Sequence, residues 1–164
     1  LDGGGPADLV EVTLALAREM VELAGLDADP AEVLASGRAR AVWDDMVRAQ
    51  GGDPEAVLPV APHVETVDAE VSGVLGRLDC RSVGIAVWRL GAGRARKEDP
   101  VSPSAGIVCL AKPGDPVEAG QPLLELHAED PSRFAAAREA LQDALEVSDE
   151  PPTPKPLVVD RIAI

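Results

Sequence analysis

The sequence GAGR at residues 91–94 is the segment whose residue types point most directly to chemistry. Its two glycines permit backbone conformations and close approaches that other residues resist. Arg94 opens a tight basic cluster, because Arg96 and Lys97 follow it in an otherwise acidic chain. Guanidinium groups carried on such a loop can meet an anion or another domain. The alternative interpretation is a helix C-cap with solvated arginines.

Phosphate binding and acid–base catalysis are not predicted for the other polar clusters. A phosphate cradle needs successive backbone N–H groups at a helix start, with a cation or hydroxyl nearby. The glycines at residues 3–5 precede a helix, but Asp2 and Asp8 flank them, so we interpret them as a flexible helix entry. The adjacent acids at residues 44–45 and 129–130 are interpreted as a solvated face and a helix cap.

A metal site is not predicted either. The chain has two histidines and two cysteines, and neither pair has the spacing of a zinc ligand set. We expect His63 and His127 to be surface or hydrogen-bonded packing residues, and Cys80 and Cys109 to be small buried thiols. The sequence therefore predicts no catalytic residue, no phosphate-binding residue and no metal ligand in this chain.

The overall charge narrows the class of protein. The 164 residues carry a formal net charge of −14, which repels phosphate backbones and anionic lipid headgroups. We therefore expect neither nucleic acid nor membrane as a partner. No run approaches the roughly 20 apolar residues of a membrane span, and no secretory signal pattern opens the chain, so a cytoplasmic protein is expected. Since the first residue is Leu1, we also expect a part of a longer protein.

Residues 1–59 are predicted to form three helices. Apolar residues at spacings of three and four predict the first, which ends near Gly25. Asp29 begins the second, and Gly37 ends it or joins it to a third that stops at residues 51–54. Each helix has a broad apolar face with few facing partners, so we interpret them as the edge of a larger domain. The predicted faces of the first and third helices are Leu9, Val12, Leu16, Met20 and Leu23, and Ala39, Val42, Trp43, Met46 and Val47.

Residues 60–164 are predicted to form strands around two helices. A period of two indicates strands on either side of a glycine turn, and Asp79 then caps a short helix that ends in GAGR. Two more strands flank a tight turn at residues 113–116. Asp130 opens a last helix, and a proline strap leads to an edge strand over residues 157–164. The inward residues of the last helix are Phe134, Ala137, Leu141 and Leu145.

Two stretches of the sequence carry a family resemblance. Residues 1–9 (LDGGGPADL) resemble the segment that opens a late helix in thymidine and pyrimidine-nucleoside phosphorylases. Residues 69–94 (AEVSGVLGRLDCRSVGIAVWRLGAGR) resemble the beginning of the C-terminal domain of that family. The resemblance implies an enzyme that cleaves the N-glycosidic bond of thymidine or uridine with inorganic phosphate, giving the base and a pentose 1-phosphate. It implies no cofactor in this chain, and inorganic phosphate as the co-substrate of the complete enzyme.

The resemblance also implies what this chain contributes. The family's phosphate-binding loops, base-reading side chains and cation ligands lie upstream of the matching segments, so none transfers to a residue here. The matching glycine-rich loop is implicated in domain closure, which implies a closure loop with Gly91, Gly93 and Arg94. Because the resembled enzymes form dimers through their helical domain, we expect a homodimer of the full-length protein. The upstream half of the same enzyme is the expected partner, and this chain alone is expected to be inactive.

Two other classes of protein fit parts of the sequence. Residues 114–123 (GDPVEAGQPL) and 71–74 (VSGV) resemble the two halves of biotinyl and lipoyl carrier domains. Carriers present a modifiable lysine at a hairpin tip between those halves, whereas this chain has a helix and the GAGR sequence there. Lys97 is in the wrong context and Lys112 merely precedes a turn, so we interpret the likeness as architectural. A stand-alone interaction module would use the apolar helix faces.

These observations predict an α+β fold. Residues 1–59 are expected to be the trailing helices of a larger α/β domain. Residues 60–164 are expected to form a C-terminal α/β hammerhead, a barrel-sandwich-like domain with a last helix and an edge strand. This chain would complete the lobe that carries phosphate.

Overall fold

Helices and strands are segregated along the chain. The computed structural model describes Leu1 and residues 4–162. One unit consists of Leu1–Val57 and Lys155–Ile164, and the other consists of Leu58–Pro154. The strands of the described residues all lie in the second unit. The mixture of helices and antiparallel sheets confirms the predicted α+β class.

The first unit contains the three predicted helices, which are α1 (Ala7–Leu23), α2 (Pro30–Ala35) and α3 (Arg38–Ala49). Asp29 caps α2, because its side-chain oxygen accepts a 2.9 Å hydrogen bond from the backbone N–H two residues later. Gly37 separates α2 from α3 with φ at 75°, a conformation that glycine adopts without strain.

The apolar face predicted for α1 does not face inward. Leu9, Leu16 and Met20 are 62%, 60% and 71% exposed. Leu14 and Ala17, on the other side of the helix, line an apolar groove with α2. Helix α1 is apolar on two sides. Packing within the unit covers one side and leaves the other exposed to solvent. None of the described residues of α1, α2 or α3 is buried, and no described helix combines the length and apolarity needed to cross a membrane.

Residues 155–162 return to α1 without forming a strand. The Arg161 guanidinium pairs with the carboxylates of Glu19 at 2.8 Å and Glu22 at 3.0 Å. The edge strand predicted over residues 157–164 is therefore absent from its described part, and its last two residues lie outside the described range. Prolines before the segment remove backbone donors, and side-chain ion pairs take the place of a strand ladder.

The second unit contains six strands in two three-stranded antiparallel sheets. The strands are β1 (His63–Asp68), β2 (Gly73–Leu78), β3 (Gly106–Cys109), β4 (Pro116–Val117), β5 (Pro122–Ala128) and β6 (Leu145–Ser148). The first sheet has the order β1-β5-β3 and the second the order β4-β2-β6. Although β1 and β2 flank the predicted glycine turn, they belong to different sheets and form no hairpin.

Strand β5 supplies the centre of the core. It lies between β1 and β3, so its backbone is paired along both edges. Leu124 and Leu126 have no exposed surface, whereas the alternation of a strand puts Glu125 and His127 on the opposite face. The cluster around the two leucines includes Leu75, Ala86, Leu90, Phe134, Ala137 and Leu141.

The last helix is shorter than predicted. A 3₁₀ turn capped by Asp130 leads into α5 (Phe134–Leu141). Leu145, predicted as an inward residue of this helix, instead pairs with Leu78 as the first residue of β6. Its spacing of four from Leu141 fits a helix, but the chain here completes the backbone pairing of β2, and tertiary pairing overrides the local pattern.

Replacing Leu126 by alanine should destabilise the second unit, because the side chain is fully buried. Loss of a buried leucine costs about 2–5 kcal/mol. The control is Val64→Ala, since Val64 is 50% exposed on β1 and should cost less than about 1 kcal/mol. The free energy of unfolding is measured by urea titration of Trp88 fluorescence in a Trp43→Phe background. Equal losses for the two variants would contradict the assigned core.

Candidate functional site

The GAGR sequence forms the end of a helix and the start of a loop. Helix α4 (Cys80–Val87) begins at Asp79, and hydrogen bonds from Ser82 to the Asp79 carboxylate lower its pKa. The chain continues as a wide turn, Trp88–Ala92, in which the buried Gly91 has φ at 113°. A side chain would be strained there, so glycine lets the chain leave the helix. The predicted capped helix is confirmed.

We call residues 92–101 the Arg94 loop. The residues on either side of this loop lie next to each other. The Ser102 N–H donates a 2.9 Å hydrogen bond to the Gly91 carbonyl, which brings the two ends of the loop together. Within the loop, the Arg96 N–H donates to Asp99 Oδ2 at 2.8 Å. A loop whose ends meet and whose tip is bonded to itself has the character of an Ω-loop.

The basic side chains of the Arg94 loop are exposed. They belong to Arg94, Arg96 and Lys97. The Arg94 guanidinium donates to the Lys97 carbonyl at 3.3 Å, a long distance for a charged donor. The loop therefore presents positive charge on a chain whose formal net charge is −14, and this charge can attract an anion or an acidic surface.

The two glycines of the motif are required for different reasons. Gly91 needs its positive φ of 113°, although a Cβ there would meet Arg133 at an ordinary 3.6 Å. Gly93 has an extended backbone, but a Cβ would lie 2.7 Å from Trp88 Cδ1. Close approach of the indole therefore requires glycine at position 93.

Two arginines outside the Arg94 loop connect its base to α5 and to the 3₁₀ turn before α5. The Arg89 guanidinium donates to the Ala136 carbonyl at 2.8 Å and to a Glu139 carboxylate oxygen at 2.7 Å. The Arg133 side chain passes beside Gly91 and donates to the Arg89 carbonyl at 3.4 Å. These contacts hold the wide turn before the loop.

The returning end of the Arg94 loop meets Glu129, the residue after β5. The Ser102 and Ser104 hydroxyls donate to Glu129 Oε1 at 2.8 Å and 2.9 Å, and these hydrogen bonds lower the pKa of the Glu129 carboxyl. A cleft of about 190 Å³ lies beside this contact, next to Gly91 and Arg133. The sequence interpretation missed this role of Glu129, because 27 and 25 residues separate it from the serines.

The histidines and cysteines, the other residue types considered as possible ligands, form no cluster among the described residues. Among the described residues, no group of three His, Cys, Asp or Glu side chains could hold a metal ion. His63 is exposed, and His127 Nε2 lies 3.4 Å from Glu125 Oε2 without forming a hydrogen bond. Cys80 and Cys109 are both exposed, so the prediction of buried thiols is wrong. Cys80 begins a helix and Cys109 ends an edge strand, where the core does not cover them.

The remaining clusters considered in the sequence are the glycines at residues 3–5 and the acids at residues 44–45. The glycines at residues 3–5 lie only partly in the described range, which excludes Asp2 and Gly3. Asp44 forms a 2.7 Å ion pair with Arg40 one helical turn earlier, and its side chain is only 19% exposed. The Asp45 side chain is 84% exposed, so the solvated face predicted for these two acids fits Asp45 and not Asp44.

Comparison with known proteins points to one family. Residues 74–148 match the family model of the pyrimidine nucleoside phosphorylase C-terminal domain. The chain is 48% identical over 163 residues to a thymidine phosphorylase of Mycobacterium tuberculosis, an alignment that covers 99% of this chain and 38% of the relative. It is 38% identical over 164 residues to a thymidine phosphorylase of Burkholderia cenocepacia, covering 90% of this chain and 37% of the relative. The chain thus spans less than two fifths of the length of these relatives.

Alanine at Gly93 should displace Trp88, because the new Cβ would lie 2.7 Å from the indole. We expect a shifted Trp88 emission maximum, measured in a Trp43→Phe background. Gly84→Ala is the matched control, since a Cβ added at Gly84 in α4 would meet nothing within 4 Å. That change should leave the emission unchanged and stabilise the helix by about 0.5–1 kcal/mol. Identical spectra for the two variants and their common background would contradict the contact.

Proposed function

Because the chain belongs to the pyrimidine nucleoside phosphorylase family, we propose that the complete protein cleaves thymidine or uridine with inorganic phosphate. The products are the free base and a pentose 1-phosphate, and inorganic phosphate is the co-substrate. The observation that carries this proposal is the 48% identity to a thymidine phosphorylase over 99% of the chain. A cytoplasmic location and a homodimer stay predictions.

In this proposal, residues 1–59 are the trailing helices of a larger α/β domain, and the upstream part of the same protein is their partner. The exposed apolar side of α1 supports this, because Leu16, Met20 and Leu23 are 60%, 71% and 86% exposed. Covering such side chains is favourable by about 25 cal/mol for each Å² of apolar surface removed from water. Residues 60–164 then complete and rigidify the lobe that carries phosphate.

The Arg94 loop closes over the substrate cleft in this proposal. Its fixed base and self-bonded tip support a movement of the tip as one piece. Closure would bring Arg94 toward the anionic phosphate or an acidic surface of the opposite domain. It would also exclude water from the reacting carbon, which favours attack by phosphate over hydrolysis.

Phosphorolysis assays test the proposal directly. Thymidine and uridine are each incubated with phosphate and one of four samples, which are this chain, the separately produced upstream part, a mixture of the two, and the complete protein. We expect activity from the mixture or from the complete protein and none from this chain alone. Activity of this chain alone would mean that it holds a catalytic site of its own. If the complete protein were silent and a lysine gained a biotinyl or lipoyl mass in the presence of the matching ligase, a carrier would replace the phosphorylase.

Replacing Arg94 by alanine in the complete protein should lower kcat/KM for phosphorolysis. A hydrogen bond to a charged group contributes about 1.5–3 kcal/mol, so its loss corresponds to a decrease of about ten- to a hundredfold. Arg81→Ala is the control, because Arg81 is an exposed arginine on α4 outside the loop. Kinetics of both variants are measured at varied phosphate and nucleoside. Unchanged kcat and KM for Arg94→Ala would exclude the closure role of this side chain.

A further inference from the structure

We infer that Glu129 is a positioning residue of the Arg94 loop. Its carboxylate, together with the hydroxyls of Ser102 and Ser104, forms what we call the Glu129 clasp. The clasp holds the returning end of the loop at the end of β5 and so sets the position from which Arg94 moves. This inference rests on the proposed closure role of the loop and adds the residue that controls it.

The geometry of the clasp is specific to a single carboxylate oxygen. Both hydroxyls donate to Glu129 Oε1, at 2.8 Å from Ser102 and 2.9 Å from Ser104. The Ser102 hydroxyl oxygen also accepts from the Ala105 N–H at 3.1 Å. That third bond occupies an oxygen lone pair and leaves the hydroxyl hydrogen for Glu129. The hydroxyl is therefore oriented as a donor to the carboxylate.

Ser102 connects the clasp to the loop itself. Its side chain binds Glu129, while its backbone N–H donates to the Gly91 carbonyl at 2.9 Å. One residue thus ties together both ends of the Arg94 loop and the end of β5. Because β5 is paired along both edges, Glu129 follows a strand that is held firmly at its end.

The hydrogen bonds of residues 94–99 join these residues to one another. Residues 94–98 are exposed, and the Asp99 N–H donates to the Arg96 carbonyl at 3.1 Å. Segments with exposed backbone and few outside contacts open at low free-energy cost. Movement is therefore expected between the fixed ends at Gly91 and Ser102, with the clasp limiting the displacement.

The test uses the complete phosphorylase with Glu129→Ala, Ser102→Ala and the double variant. Ser102→Thr keeps the hydroxyl, and Glu118→Ala removes an exposed carboxylate outside the loop. Trypsin cleaves after the basic residues of the loop, so the rate of loop cleavage is followed by mass spectrometry. Each protein is measured without ligand and with phosphate plus free thymine, two compounds that cannot react with each other. Steady-state kcat and KM for thymidine phosphorolysis are measured in parallel.

We expect each single alanine variant of the clasp to increase loop cleavage about tenfold and to lower kcat/KM by a similar factor. The double variant should change both quantities by less than the two single changes combined, because the bond between Ser102 and Glu129 is lost in each single variant. Glu129→Ala also removes the bond from Ser104, and Ser102→Ala also removes the bond from the Ala105 N–H. Ser102→Thr should keep cleavage slow, because threonine retains the hydroxyl that donates to Glu129. The Glu118→Ala variant should behave as wild type.

Wild-type cleavage rates and kinetics for both Glu129→Ala and Ser102→Ala would overturn the inference, and so would fully additive effects in the double variant. If Glu129→Ala fails to fold, the comparison of Ser102→Ala with Ser102→Thr decides the question. If the wild-type complete protein cleaves neither thymidine nor uridine, the proposed function fails. The cleavage rates would then still show whether Glu129 holds the loop.

Discussion

The pairing of β5 with β1 on one edge and β3 on the other is the interaction on which the rest of Leu58–Pro154 depends. It brings segments distant in sequence into one sheet and buries Leu124 and Leu126 completely. Its end also determines the candidate site, because the next residue, Glu129, receives the serines of the returning loop. Asp130 then caps the turn before α5. One buried strand thereby positions both the helix that fixes the base of the Arg94 loop and the carboxylate that holds its other end.

The Arg94 loop combines a rigid base with a tip that has few outside contacts. Hydrogen bonds of Arg89 and Arg133 hold the turn that precedes it, and the positive φ of Gly91 sets its direction. Beyond that point the loop bonds to itself and exposes basic side chains on an acidic chain. Positive charge on a segment between fixed ends supports the proposed role of the loop in covering an anionic substrate. The first unit differs, because large apolar side chains of α1 are exposed there.

The sequence predicted helix ends correctly where a capping side chain or a glycine determines the local backbone conformation. The cap at Asp79 identified α4 despite its β-branched residues, and the glycines of GAGR marked where that helix ends. Contacts between distant segments could not be predicted in this way. Leu145 lies one helical turn from Leu141 in the sequence pattern, yet pairing with β2 makes it a strand residue. The contacts of Glu129 with Ser102 and Ser104 could not be predicted either, because the serines lie 27 and 25 residues earlier in the chain.

The most direct test of this account is a pair of crystal structures of the complete protein, one without ligand and one with phosphate and thymine. The account predicts that residues 94–99 move toward the bound phosphate or the opposite domain in the liganded structure. The hydrogen bonds from Ser102 to Gly91 and to Glu129 should stay within hydrogen-bond distance in both structures. A loop in the same position in both structures, or a closed loop with the contact between Ser102 and Glu129 broken, would contradict it.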